Sequence, residues 1–88
     1  MTRKEILQSP EYWVNLIETE IQIRISDYIK TNYCSLEELS DLMEISTKRI
    51  KEILISGNPK LTVLELAKIS TKLGLAPKIK FTKLEDYK

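Results

Sequence analysis

The 88-residue sequence has no histidine, a single cysteine, only two glycines, and a net charge of just +1. Each shortage removes a class of chemistry. Without histidine no imidazole is available as a general base, as the activator of a nucleophile or as a zinc ligand. Cys34 alone can form neither an internal disulfide nor a paired-thiolate metal site, which agrees with a reducing, cytoplasmic setting. Gly57 and Gly74 are isolated, so no glycine-rich phosphate loop can be built. The acid pairs Glu37/Glu38 and Glu85/Asp86 are adjacent in sequence, and helical neighbours point about 100° apart, so neither makes a catalytic dyad. No stretch approaches the roughly 18 consecutive apolar residues of a membrane span. The N-terminal MTRKEILQSPEYW has no apolar run of the secretory kind. The expectation is a non-enzyme that uses no cofactor or metal and does not enter a membrane.

What remains is a soluble globular composition, 42% apolar and 31% charged, in a chain long enough for one modest core. The charge is unevenly placed. Residues 31–45 carry Glu37, Glu38, Asp41 and Glu44 with no basic partner, whereas residues 46–60 carry Lys48, Arg49, Lys51 and Lys60 against Glu52 alone. Beyond Ala76 come Lys78, Lys80, Lys83 and Lys88 against Glu85 and Asp86. Positive charge therefore gathers where a phosphate-facing surface would lie.

The central stretch, Ser35 to Leu54, predicts two short helices joined by a tight turn. Ser35 with Glu38 has the reciprocal capping spacing, and Leu39, Leu42 and Met43 recur at helical intervals. Glu44 and Ile45 form the turn, and Ser46 caps a second helix from Thr47 to about Leu54. There Ile50, Ile53 and Leu54 face inward, and Thr47, Lys48, Arg49, Lys51 and Glu52 face outward. One buried stripe and one dense polar face is the pattern a groove-reading helix requires.

On the N-terminal side, residues 1–8 carry too little pattern to assign. Ser9-Pro10-Glu11 starts a long helix that runs to about Asn32. Val14, Ile17, Ile21, Ile25 and Tyr28 form one apolar stripe, while Tyr12, Trp13, Leu16 and Ile23 fall largely outside it. Two apolar faces on one helix need two partners, and a second copy of the chain is the expected second one. On the C-terminal side, Gly57-Asn58-Pro59 stops the preceding helix. Thr62 and Glu65 start another, with a stripe of Val63, Leu66, Ile69, Ser70 and Leu73, and Gly74 ends it. From Ala76, the alternation around Ile79 and Phe81 predicts a short strand or an extended tail.

Taken together, Ser35, Glu38 and Leu39, the Ile45-Ser46 turn, Ile50 and Ile53, the Gly57-Asn58 exit, Leu61-Thr62, and Leu66 to Leu73-Gly74 resemble the lambda-repressor-like, Xre-type helix-turn-helix family from about Arg24 to Leu75. The resemblance implies a compact all-α domain of four or five helices. Residues 24–75 form its core, residues 1–23 a helical extension, and residues 76–88 a C-terminal strand or tail. It also implies binding of double-stranded DNA, with Thr47, Lys48 and Glu52 reading bases. Lysine suits guanine and glutamate suits cytosine, so a G·C-containing half-site is expected. Ser35, Arg49, Lys51, Asn58 and Lys60 would hold the backbone. Tyr12, Trp13, Leu16, Ile23, Ile79 and Phe81 would form a homodimer interface. Three positions depart from the family pattern. Leu36 replaces a phosphate-bonding glutamine, Ser40 replaces an alanine and fits if its hydroxyl bonds the preceding turn, and Glu44 replaces a turn glycine.

Two functions follow as expectations. The first is a dimeric, sequence-specific transcriptional regulator, a repressor or an antitoxin-like protein with a toxin partner. The second is a protein-interaction module that keeps the fold without the DNA contacts, a reading supported by the acidic 35–44 segment and Leu36.

Overall fold

The computed structural model describes residues 2–78 and 80–87, and among them the protein is all-α. Five α-helices occur in order: α1 (Arg3–Leu7), α2 (Pro10–Asn32), α3 (Leu36–Met43), α4 (Thr47–Ile55) and α5 (Val63–Lys72). A 3-10 turn at Leu84–Asp86 follows. No helix is long and apolar enough to cross a membrane.

Helix α2 is the scaffold. Its 23 residues give a rod of about 35 Å, most of the molecule's 43 Å long dimension. It begins where Ser9-Pro10-Glu11 predicts, although the Ser9 hydroxyl donates to the Glu11 carboxylate and does not cap a backbone amide. It ends on Tyr33, which takes a left-handed φ of 50°. The shorter α3, α4 and α5 pack on one another and on its C-terminal half. Ile21 and Ile25 from α2, Leu39 and Met43 from α3, Ile45 from the turn, Ile50 and Ile53 from α4 and Ile69 from α5 make one continuous core. Tyr28, Leu54, Leu66 and Leu73 pack around it.

The predicted α2 stripe holds only in part. Val14 and Ile17, in the N-terminal half of α2, are 45% and 49% exposed, and Ile17 borders an open groove with Leu66 instead of entering the core. That half is met instead by α1, a helix the first eight residues do not announce. Thr2 caps α1 and Leu7 is buried. The Trp13 indole N–H donates to the Leu7 carbonyl at 2.8 Å. Val63 is a second exception at 79% exposed, since the first turn of α5 meets α4 through an ion pair and not through apolar contact.

The C-terminal strand does not form among the described residues: those between Gly74 and the 3-10 turn belong to no helix or strand. Ile79, half of the alternation that suggested a strand, lies outside the described residues. The lysines at 78, 80 and 83 are exposed and bring no neighbouring strand with them.

The tie between α4 and α5 is electrostatic. Arg49 donates from Nε and Nη2 to the two Glu65 oxygens at 2.6 and 2.8 Å, and from Nη2 to the Lys60 carbonyl at 3.3 Å. Both side chains are largely shielded, 23% and 19% exposed. Glu65 also accepts from the Thr62 amide in its capping box. The Arg49 hydrogen bonds, chiefly, hold the Glu65 carboxyl at about 2 against an ordinary 4.5. A depressed carboxyl pKa contributes stability that is complete above the unfolded value and is lost as pH falls through the folded one. Glu65→Gln should therefore cost roughly 2 kcal/mol at neutral pH in urea melts. It should also flatten the loss of stability that the native protein shows between about pH 4.5 and pH 2.

Candidate nucleic-acid interface

The α3–α4 pair is assembled from local signals that all agree. Ser35 accepts from the Glu38 amide at 3.1 Å while the Glu38 carboxylate accepts from the Ser35 amide at 3.2 Å, closing the capping box. Helix α3 ends on Glu44, whose φ of 57° is the left-handed conformation that glycine adopts without strain. Ile45 then plugs the core. The Ser40 hydroxyl donates to the Ile45 carbonyl at 2.6 Å. It therefore secures the turn that follows, not the one before it as expected. Ser46 caps α4 through the Arg49 amide at 3.1 Å.

With α4 held from behind by Ile50 and Ile53, its opposite side faces solvent. Thr47, Lys48, Lys51, Glu52, Ile55 and Ser56 border a shallow depression of about 500 Å³. Of the expected base readers, Lys48 and Glu52 are exposed and Thr47 is half-buried, all three on this one face. Lys51 shares it. Arg49 does not: its guanidinium is turned to Glu65 and Lys60, with Glu52 at 3.8 Å, so it braces α4 instead of standing free at the surface. Asn58 and Lys60 are exposed beyond the helix, Lys60 with a left-handed φ of 52°. α4 ends at Ile55, one residue beyond the expected Leu54, on an extended Ser56 whose hydroxyl accepts from the Asn58 amide, and Gly57 follows without a positive φ. Leu36 is half-buried and packs against the core, which explains why an apolar residue occupies its place. Cys34 has its thiol pKa raised, first by burial and then by the Glu38 carboxylate, so it is not a reactive thiolate.

Sequence reasoning missed two residues that position this face. The Gln22 side-chain amide donates to the carbonyls of Ile53 at 2.8 Å and Ser56 at 3.3 Å, satisfying the end of α4 from α2. One turn earlier, the Glu18 carboxylate accepts from the Leu61 amide at 3.2 Å. Glu18 is only 4% exposed, and its other oxygen has no hydrogen-bond partner among the described residues. A signal was present in the sequence: Glu18, Ile21, Gln22 and Ile25 have i, i+3, i+4, i+7 spacing, which puts two polar side chains inside a core-facing stripe. Ile55 was missed too. It is 81% exposed at the far end of the α4 face.

The expected dimer residues separate. Tyr12 and Trp13 are half-buried and stack edge-to-face on each other at 5.1 Å, and Trp13 does the same with Tyr87 at 5.2 Å. Leu16 and Ile23, two turns apart along one line of α2, are 43% and 48% exposed. Phe81 is 93% exposed, and Ile79 lies outside the described residues.

No family model, curated protein or solved structure matches this chain. Among the described residues no group of three His, Cys, Asp or Glu side chains is placed to hold a metal ion. The face therefore has to be read from its own chemistry. It offers two free ammonium groups and one carboxylate on a convex, rigidly backed helix, a surface that can dock and discriminate.

Two substitutions test the backing. Gln22→Glu sets a carboxylate against two carbonyl oxygens and should destabilise more than Gln22→Ala, which should cost about 1 kcal/mol in chemical denaturation. Glu44→Gly removes the left-handed strain and should raise stability by about 1 kcal/mol in the same assay.

Proposed function

We propose that this chain is a sequence-specific, double-stranded DNA-binding regulator of the lambda-repressor-like helix-turn-helix kind, a homodimeric repressor that reads the major groove with α4. The observation that carries the reading is the division of labour on α4. Its apolar residues and Arg49 are committed to the fold, while Lys48, Lys51, Glu52 and Thr47 share one solvent-facing side. In this reading Thr47 and Lys48, in the first turn of α4, reach base edges. Lysine there donates to guanine O6 and N7, and Glu52 accepts from cytosine N4, which favours a G·C-containing half-site. Lys51, Asn58 and Lys60 hold phosphates, together with Ser35 and the amides that open α3. Arg49 supports the site through Glu65 and contributes no phosphate contact. Two copies on a palindrome would place their α4 helices about 34–36 Å apart.

A second reading has its own supporting observation. Leu36 is packed inward, where it offers nothing to a phosphate, and Glu37, Asp41 and Glu44 are exposed along α3. That acidic side repels DNA and suits a protein partner, such as a toxin neutralised by an antitoxin-like module.

Selection from a randomised duplex pool, followed by binding across a salt series, separates the two. The regulator reading expects an enriched sequence and a steep loss of affinity with salt. No enrichment at low salt, alongside a stable complex with another protein, favours the interaction module. On the selected duplex, Lys48→Ala should relax preference at its base pair by about 1–3 kcal/mol, whereas Lys60→Ala should weaken every sequence alike and lower the salt slope by about 1. If neither substitution changes binding, α4 is not the reading helix.

A further inference from the structure

The N-terminal half of α2, the Leu66–Ser70 side of α5 and the segment after Gly74 enclose an open groove of about 790 Å³. Leu16, Ile17, Leu66, Leu75 and Pro77 give it apolar walls, and Glu20, Arg24 and Lys78 stand along it. Three observations say what fills it.

The first is Phe81. It belongs to the groove's own border, yet it is 93% exposed. The chain thus carries a large apolar side chain beside an apolar groove without inserting one into the other. Burying a phenyl ring of this size removes roughly 150–250 Å² from water, so leaving it out is costly unless something else takes it in.

The second is how few backbone ties hold the arm, whose one aromatic anchor is Tyr87 stacked edge-to-face on Trp13 at 5.2 Å. Among the described residues, the last backbone hydrogen bond from this segment to a helix is Leu75 N–H to the Ser70 carbonyl at 2.8 Å. Beyond it the described backbone hydrogen bonds are internal, Asp86 to Lys83 and Tyr87 to Leu84. An arm with so few backbone ties can be exchanged between copies at little cost.

The third is charge. The arm carries Lys78, Lys80 and Lys83, all exposed. The N-terminal half of α2 carries Glu11, Glu18 and Glu20 with no basic residue before Arg24, and of these Glu20 borders the groove. Glu18 is turned to the core, but Glu11 and Glu20 are exposed. Glu20 pairs with Arg24 at 2.9 Å, with both side chains at least half exposed, an arrangement that leaves the carboxylate free to accept a second cation.

We propose that the groove is the seat of the C-terminal arm of a second copy of this chain, exchanged reciprocally. Phe81 of each copy enters the partner groove between Leu16, Ile17 and Leu66, and the arm's lysines lie against Glu20. The same patch serves on both subunits, so the contact closes on itself as a two-fold dimer. This deepens the homodimer part of the proposed function and leaves Ile23, which does not border the groove, outside the interface.

Charge reversal with complementation tests it on the full chain without DNA. Sedimentation velocity should find the native protein dimeric. Glu20→Lys alone and Lys78→Glu alone should each weaken the dimer by about tenfold or more, because each sets like charges together at both symmetric contacts. An equimolar mixture of the two variants should dimerise as the native protein does, since both contacts then join opposite charges. Phe81→Ala should also give monomer, with helix content by circular dichroism unchanged. A native protein that stays monomeric at about 1 mM overturns the proposal, as does a mixture no more dimeric than its components. Binding of the Glu20→Lys monomer to a single half-site keeps the two readings apart. If it persists, groove reading by α4 stands whatever becomes of the arm. A native dimer with no DNA affinity fails α4 and leaves the arm in place.

Discussion

The polar clamp from α2 onto the α4–α5 connection is the contact on which the rest depends. Gln22 donates to the carbonyls at the end of α4, and Glu18 accepts from the Leu61 amide just before α5. A helix end and a loop amide that would otherwise need water are satisfied from inside the fold. Both clamp residues sit on the same face of α2 as Ile21 and Ile25, so hydrogen bonding and apolar packing fix the same register. Each is costly to break alone, because an unpaired buried polar group forfeits its full desolvation energy. The direction in which α4 presents Lys48 and Lys51 is thereby set by α2, a helix that contributes nothing to the exposed face itself.

Arg49 and Glu65 extend the same logic to the other side of α4. A guanidinium in the first turn of a basic helix would ordinarily be assigned to phosphate. Here a bidentate pair with a shielded carboxylate takes it, and that pair also draws the Lys60 carbonyl and the Thr62 cap into one network. The consequence for function is a division on α4: Arg49 secures geometry, and the free ammonium groups remain for a ligand. The α3 side shows a comparable choice, since Leu36 spends its side chain on the core.

Helix boundaries were legible from sequence to within a residue or so wherever a cap marked them. Ser35 with Glu38, Ser46, and Thr62 with Glu65 act through contacts three residues away, and Pro10 and Gly74 through their own backbone angles, none of which depends on the fold. The α4 face was readable for the same reason, since Lys48, Lys51 and Glu52 follow helical spacing from Ser46. Arg49 was misjudged because its partner lies 16 residues away on another helix. Gln22 was missed because its acceptors are 31 and 34 residues away: its place in the core-facing stripe is legible from spacing, but the groups it meets are not.

By itself, then, the sequence determined the four capped and periodic segments between Pro10 and Leu73, and the absence of histidine-based or paired-thiolate chemistry. Short-range hydrogen bonds and the 3.6-residue period are properties of the chain alone. Tertiary structure decided what those segments do with their surfaces. It left Val14 and Ile17 half in solvent on the N-terminal half of α2, turned Arg49 and Leu36 inward, put Glu18 and Gln22 to use between helices, and kept Phe81 outside its own groove. Those outcomes follow from which helix covers which, a matter of lengths and crossing positions between elements that no single segment encodes.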